Sequence, residues 1–309
     1  MKILHLDTNH KLLINQLDDL GFINDEDYTS SKQEIEAKIH NYDGFIIRSR
    51  FKIDKHFLDK ATNLKFIGRV GAGLENIDLD FCNKQNIQVF RSPEGNMDAV
   101  GEHVIGSLLM LFNNLKRADD EVRKGIWLRE ENRGFEIKGK TFAIIGYGYM
   151  GESLAKKLSG FGANVIAYDK YKTNFECDYT KEVSLQEVFE TADIVSLHTP
   201  LTKETVGMIN NHWLSNFQKS IYFINTARGQ SVITKDLITH LDSGKIKGAC
   251  LDVYGFETSS FQSANTNDPD FDYLSKSTKV ILSPHIAGWT FEAKEKMANV
   301  LINKILFHF

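Results

Sequence analysis

The residues of this chain best suited to chemistry fall in four short segments. The first is Gly146-Tyr147-Gly148-Tyr149-Met150-Gly151, which follows the apolar run 141–145 and precedes the helical run 153–158. A glycine at 146 permits a tight turn, one at 148 lets the backbone approach a pyrophosphate, and one at 151 allows close helix–strand contact. The helix start adds unpaired N–H groups and a partial positive charge for an anion. The next apolar run, 164–168, ends at Asp169, 23 residues after Gly146. A carboxylate there can accept hydrogen bonds from a ribose diol and repels a 2′-phosphate. The pattern predicts a dinucleotide site that prefers NAD to NADP, with Lys170 and Lys172 as the neighbouring charges that bear on the choice. The plain alternative is a glycine-rich turn with no ligand.

The other three segments each follow an apolar run. Thr226-Ala227-Arg228-Gly229 comes after 221–225, Tyr254-Gly255-Phe256-Glu257 after 249–253, and Ser283-Pro284-His285 after 280–282. If these runs are parallel strands, Arg228, Glu257 and His285 share the carboxyl edge where the glycine loop would place a cofactor. Arg228 can hold a carboxylate with a bidentate, charge-assisted pair. His285 can take or give a proton near neutral pH, and Glu257 beside it would favour the imidazolium and fix the ring. With a nicotinamide, this equipment interconverts a 2-hydroxy acid and a 2-keto acid. Taken singly, each residue also fits a solvated or structural role. Their joint placement favours a site.

Positioning these groups requires an α/β chain, and the pattern supplies one. In the first third, strand-like runs at 2–6, 44–47, 64–67 and 87–90 alternate with helical or polar segments at 11–20, 31–40 and 54–60. This alternation predicts βαβ units and parallel sheets. A long helix is expected over 96–124, with an apolar stripe of Val100, Val104, Leu108, Leu111 and Leu115, followed by a polar loop at 125–140. A second series of strands is expected at 141–145, 164–168, 193–197, 221–225, 247–253 and 279–282. The stretch 258–272 reads as a surface loop, and 289–307 as a final amphipathic helix.

The 309 residues suggest two domains at about 150 residues each. The 42% hydrophobic and 25% charged fractions are those of an ordinary globular protein, and the net charge of −4 argues against a protein that coats nucleic acid or anionic membrane. No apolar run approaches the ~18 residues of a membrane span, and residues 1–7 read as a strand, not a signal peptide. Cys82, Cys177 and Cys250 are far apart, with neither a metal spacing nor a disulfide framework. That usage fits a reducing cytoplasm.

The ordered set of motifs resembles the D-2-hydroxyacid dehydrogenase family, and within it the branch that acts on 3-phosphoglycerate in serine biosynthesis. The likeness runs from Arg48-Ser49-Arg50 and the segment 68–78 (GRVGAGLENID), through the glycine loop, His198-Thr199-Pro200-Leu201 with Thr205, and 225–229, to Pro284-His285-Ile286-Ala287-Gly288. It implies a Rossmann NAD-binding domain inserted into a flavodoxin-like substrate-binding domain, both doubly wound on parallel sheets. The expected bounds are 1–97 and 285–309 for the substrate domain and 98–284 for the NAD domain. By the same likeness, Arg228 orients the substrate and His285 is the acid–base group with Glu257 as its partner. Tyr149, Met150, Thr199, Thr226, Ala227, Asp252 and Gly288 would join Gly146, Gly148, Gly151 and Asp169 around NAD. Backbone N–H groups of 70–73, including Gly71, Ala72 and Gly73, would meet the substrate carboxylate. Arg48 and Arg50 would contact a phosphate or second acidic group from the end of their strand, a solvated or structural arginine being the alternative. The helix near 96–124 would form a homodimer interface. Thr258 stands where the family usually has Pro, and Ala72 where many phosphoglycerate enzymes carry Thr. A C-terminal regulatory domain is not expected. The other readings are a glyoxylate or hydroxypyruvate reductase and a non-catalytic NAD-sensing regulator. Formate oxidation is disfavoured because that branch carries Gln where Glu257 stands.

Overall fold

In the computed structural model, which describes residues 1–257 and 265–309, the apolar runs become two fully parallel sheets. The chain divides into two units, one made of Met1–Asn96 with Trp289–Phe309 and the other of Met97–Glu257 with 265–288. The first unit contains β1 (Lys2–His5), β2 (Ile23–Glu26), β3 (Gly44–Ile47), β4 (Phe66–Arg69) and β5 (Gln88–Arg91) in the order β2-β1-β3-β4-β5. This is the flavodoxin order, which reverses direction between β1 and β3. The helix Phe291–His308 belongs to this unit and buries Ala293, Met297, Ala298, Leu301, Ile302 and Ile305.

The second unit holds β6 (Thr141–Ile145), β7 (Asn164–Tyr168), β8 (Lys181–Glu182), β9 (Ile194–Leu197), β10 (Ile221–Asn225), β11 (Ile246–Leu251) and β12 (Val280–Leu282). Read across the sheet, the order is β8-β7-β6-β9-β10-β11-β12, the Rossmann order with one further strand. Its central strands are apolar on both faces because helices cover both. Ala143, Ile145, Val195, Leu197, Phe223 and Leu251 pack with Val188, Trp213, Leu237 and Leu241 on one side. Phe142, Ile144, Ala167, Ile194 and Ile224 pack with Val104, Leu108, Phe112, Leu154 and Leu158 on the other. The period-2 alternation of Phe142 and Ile144 against Ala143 and Ile145 therefore sets both cores at once.

The structure corrects the sequence reading in several places. The strands β2 (INDE) and β8 (KE) were not expected, since neither has an apolar run. The long helix is two helices, Pro93–Phe112 and Leu115–Arg123. Asn114 separates them at a left-handed φ of 51°, which Asn tolerates better than most residues. The break removes Leu115 from the stripe and leaves it 52% exposed. In the stretch read as loop, 258–264 lie outside the described residues, and a helix begins at Pro269 (Pro269–Lys276) with Asp268 as its cap. Among the described residues no helix is long and apolar enough to cross a membrane.

Candidate functional site

The glycine loop of the second unit lies between β6 and the helix Tyr149–Leu158, at the point where strand order reverses. Gly146 has φ +94°, and a Cβ there would fall 2.9 Å from the His198 carbonyl. A Cβ on Gly151 would lie 2.3 Å from the Gly146 oxygen. Both positions therefore exclude side chains on backbone grounds. Gly148 caps the helix without a side chain, and a Cβ there would meet nothing within 4 Å. Tyr149 and Met150 open the helix, with Tyr149 exposed. The intervening Tyr147 turns inward. It stacks on Phe175 at 4.4 Å and donates to Thr180 Oγ1 at 3.2 Å, and burial pushes its hydroxyl up to about 12.

Asp169, at the end of β7, accepts from the main-chain N–H of Tyr147 at 2.8 Å and of Tyr171 and Lys172 at 2.9 Å each. Partial burial opposes its ionisation, but these three donors together outweigh that and hold the carboxyl below its usual range. Lys170 is paired with Glu204 at 2.7 Å, and the Lys172 ammonium donates to the Tyr147 carbonyl at 3.3 Å. Thr199 and Thr226, after β9 and β10, each have a buried Oγ1 with no hydrogen-bond partner. Buried hydroxyls rarely stay unpaired unless a ligand or water completes them. The open Gly148 cradle and these two hydroxyls fit a dinucleotide, which would bring hydride-accepting chemistry. Ala227 is buried, its N–H donating to Asn225 Oδ1 at 3.0 Å.

Beside this edge, Gly229 allows two turns to touch, since a Cβ on it would lie 1.9 Å from the Tyr254 carbonyl carbon. The Arg228 turn thereby rests against the Tyr254–Glu257 turn. Arg228 is partly buried, and its Nη1 donates to the Ala227 carbonyl at 2.6 Å. Glu257 Oε2 lies 2.7 Å from His285 Nδ1, and its other oxygen accepts from the Tyr254 N–H. The Glu257 side chain is 7% exposed and that of His285 26%, so the carboxylate is sheltered while the ring reaches solvent. His285 adopts φ 55°, a left-handed conformation that costs a non-glycine residue about 1–2 kcal/mol.

Asp252 holds that turn. Its carboxylate accepts from Ser283 Oγ at 2.6 Å, Ile286 N–H at 2.9 Å and Ala287 N–H at 2.8 Å, and its carbonyl from His285 N–H at 2.8 Å. Expected beside the cofactor, Asp252 is 2% exposed and directs both oxygens into the loop that ends at Gly288. Ser283, Tyr254 and His103 were not foreseen. Ser283, two residues before His285, and Tyr254, three before Glu257, each lay inside a segment already singled out, whereas nothing local marks His103.

In the first unit, the expected substrate residues are drawn largely into the fold. Arg50 Nη1 donates to the carbonyls of Leu6 at 3.0 Å and Asp27 at 2.6 Å, while Nη2 donates to that of Ser30. Arg48 stacks on Trp289 at 4.5 Å and donates to the Thr8 carbonyl at 3.2 Å. Burial pulls its guanidinium below the usual value, against the pull of Asp7. Of the backbone donors expected at 70–73, two are already used. Val70 N–H donates to the Ile47 carbonyl and Gly71 N–H to Ser92 Oγ, both at 3.0 Å. Among the described residues the N–H groups of Ala72 and Gly73 have no such partner. Nor does any group of His, Cys, Asp and Glu among them have the makings of a metal site.

A Rossmann sheet with a glycine loop and an edge-mounted histidine–carboxylate pair defines a nucleotide-dependent oxidoreductase scaffold. Residues 105–287 match the profile of the "D-isomer specific 2-hydroxyacid dehydrogenase, NAD binding domain". The chain belongs to the D-isomer specific 2-hydroxyacid dehydrogenase family, and its second unit carries the family's NAD-binding domain. It is 35% identical to a glyoxylate reductase of Thermofilum pendens over 91% of this chain and 82% of that protein. It is 33% identical to a D-3-phosphoglycerate dehydrogenase of Archaeoglobus fulgidus over 89% of this chain, but spans only about half (51%) of that relative's length. Among solved structures, an acyclic imino acid reductase in complex with NADPH and D-Arg superposes with a TM-score of 0.88. It is 26% identical, covering 100% of this chain and 97% of its own.

Proposed function

We propose that the protein is an NAD-dependent dehydrogenase that interconverts a D-2-hydroxy acid and its 2-keto acid. The observation that carries this reading is the 2.7 Å contact between His285 Nδ1 and Glu257 at the edge of the NAD-binding sheet. With Nδ1 committed to the carboxylate, the proton exchanged with substrate is the one on Nε2. His285 takes the C2 hydroxyl proton in oxidation and returns it in reduction, while Glu257 stabilises the imidazolium that forms. Arg228 holds the substrate carboxylate and polarises the keto oxygen. The glycine loop, Asp169, Thr199, Thr226 and Ala227 would hold NAD, which would supply the hydride acceptor.

The proposed substrate is 3-phosphoglycerate, oxidised to 3-phosphohydroxypyruvate at the start of serine synthesis. The first unit serves as the substrate-binding domain, with Arg48 for the phosphate and the N–H groups of Ala72 and Gly73 for the carboxylate. A second reading, glyoxylate or hydroxypyruvate reduction, is favoured by Arg50, whose guanidinium is taken up by three main-chain carbonyls. We also propose a cytoplasmic homodimer. The free cysteines Cys82, Cys177 and Cys250 support the compartment. The exposed apolar side chains Leu115, Val122, Ile126, Trp127 and Phe135, close together in sequence, support the dimer, with Trp127 76% exposed.

NADH absorbance with phosphohydroxypyruvate, glyoxylate, hydroxypyruvate, pyruvate and 2-oxoglutarate tests the reading. Turnover strongest on the phosphorylated acid is the expected result. A preference for glyoxylate or hydroxypyruvate selects the second reading. NAD binding without turnover on any acid would leave only a regulator on this scaffold.

A further inference from the structure

The helix Pro93–Phe112 carries a histidine that the proposed mechanism does not use. His103 Nε2 lies 3.0 Å from Ser283 Oγ and 3.7 Å from Asp252 Oδ1, with its side chain 20% exposed. Ser283 Oγ in turn lies 2.6 Å from Asp252 Oδ1, the oxygen that also accepts the Ile286 N–H. We propose that His103 is a positioning residue for His285, acting through Ser283 and Asp252 to hold the 285–287 turn in the conformation that aims the imidazole. The proposal rests on the acid–base role assigned to His285 above.

The direction of the chain follows from the donors. Each Asp252 oxygen accepts a backbone N–H, so the carboxylate has acceptors only to offer. The single Ser283 hydroxyl proton is therefore spent on Asp252, which leaves Oγ an acceptor toward the helix. His103 must then present Nε2 as a donor, and the ordered sequence is His103 Nε2–H to Ser283 Oγ–H to Asp252. Such a chain polarises each bond in it. Its far end is where order is needed, because His285 sits at φ 55°. A strained conformation persists only when its surroundings over-determine it. Without the His103 donor, Ser283 can turn its proton away from Asp252, and the turn loses one of its restraints.

Amide exchange of the segment 283–288 in the protein without added cofactor reads this directly. His103→Leu is expected to speed exchange of the Ile286 and Ala287 amides about tenfold, the scale of one lost hydrogen bond. His103→Gln, whose Nε2 can also donate to Ser283, is expected to restore protection. Ser283→Ala should match His103→Leu, and the double variant should be no worse than the worse single. In turnover, His103→Leu should lower kcat about tenfold while KM and the Kd for NADH hold. Unchanged protection in a folded His103→Leu, failure of Gln to rescue, or additive effects in the double variant would overturn the proposal. If the Leu variant does not fold, the Gln and Ser283→Ala variants decide it. Should the unmodified protein turn over no hydroxy acid, the role of His285 falls, while the exchange arm still judges the strut.

Discussion

After β9 and β10 in the second unit, Thr199 and Thr226 each bury a hydroxyl oxygen with nothing to bond. After β3 in the first unit, at the corresponding reversal of strand order, Arg50 gives its guanidinium to the carbonyls of Leu6, Asp27 and Ser30. Asp7 there accepts the N–H groups of Arg48 and Ser49, and Gly71 N–H is bonded to Ser92. Among the described residues of the first unit, Asn9 Oδ1 after β1, Asn96 Oδ1 after β5 and His5 Nδ1 within β1 are left in the same state as the two threonines of the other sheet. Beside the reversal of strand order, the turn after β3 has thus committed its polar groups to its own chain, whereas the turns after β9 and β10 leave two hydroxyls open. Unpaired buried groups weaken a fold until a ligand completes them, so the second sheet is prepared for a ligand at a cost in stability. In the first, the turn after β3 is satisfied by its own chain.

The largest expected effect breaks the catalytic half of that comparison. His285→Ala should lower kcat about 10³-fold while the Kd for NAD, measured by fluorescence titration, stays within about a factor of two. Near-normal kcat would remove His285 from acid–base chemistry. A smaller effect tests the first unit. Arg50→Ala should cost about 2–3 kcal/mol of stability in chemical denaturation, since three carbonyls lose their donor. Its kinetic effect should be the same for phosphorylated and unphosphorylated acids. A selective loss on the phosphorylated acid would mean that Arg50 reads substrate and that the two edges are alike.

The smallest effect concerns His198, whose backbone walls the glycine loop and whose Nε2 meets Ser196 Oγ at 2.9 Å. Burial pulls its imidazole down from 6.5 to about 4. The folded state therefore favours the neutral ring, and unfolding takes up a proton between those two values. Stability from this group is fully present above about pH 6.5 and is lost as pH falls toward 4. Urea melts across that range should show a slope that His198→Gln removes. An unchanged slope would place the acid sensitivity elsewhere.

Much of this was legible because it rests on backbone requirements. The glycines at 146 and 151 announce close approaches that no other residue allows, and Arg228, Glu257 and His285 each follow a short apolar run that reads as a strand. What escaped depends on tertiary context. The strand INDE at 23–26 is polar because it lies at the edge of its sheet. Asp268-Pro269 carried a helix-start signal inside a stretch dominated by Ser, Asn and Asp. The long helix could not be divided by periodicity, since one Asn in a left-handed conformation does it. Asp252 could be placed near the cofactor only by the family resemblance, and not aimed, because its partners come from residues more than thirty positions away. His103 reaches Ser283 across 180 residues of sequence, and nothing local marks it.

The carboxylate of Asp169 bears on any attempt to retune cofactor preference. The usual strategy replaces such an acid with a small or basic residue so that a 2′-phosphate can enter. Here the same two oxygens fasten the N–H groups of Tyr147, Tyr171 and Lys172. On the proposed role of Asp169, an alanine there would admit the phosphate and at the same time release the N–H groups of the glycine loop and of the turn after β7. A workable swap needs a side chain that still offers an acceptor to those amides. Asn and Ser keep one, so redesign would begin from them.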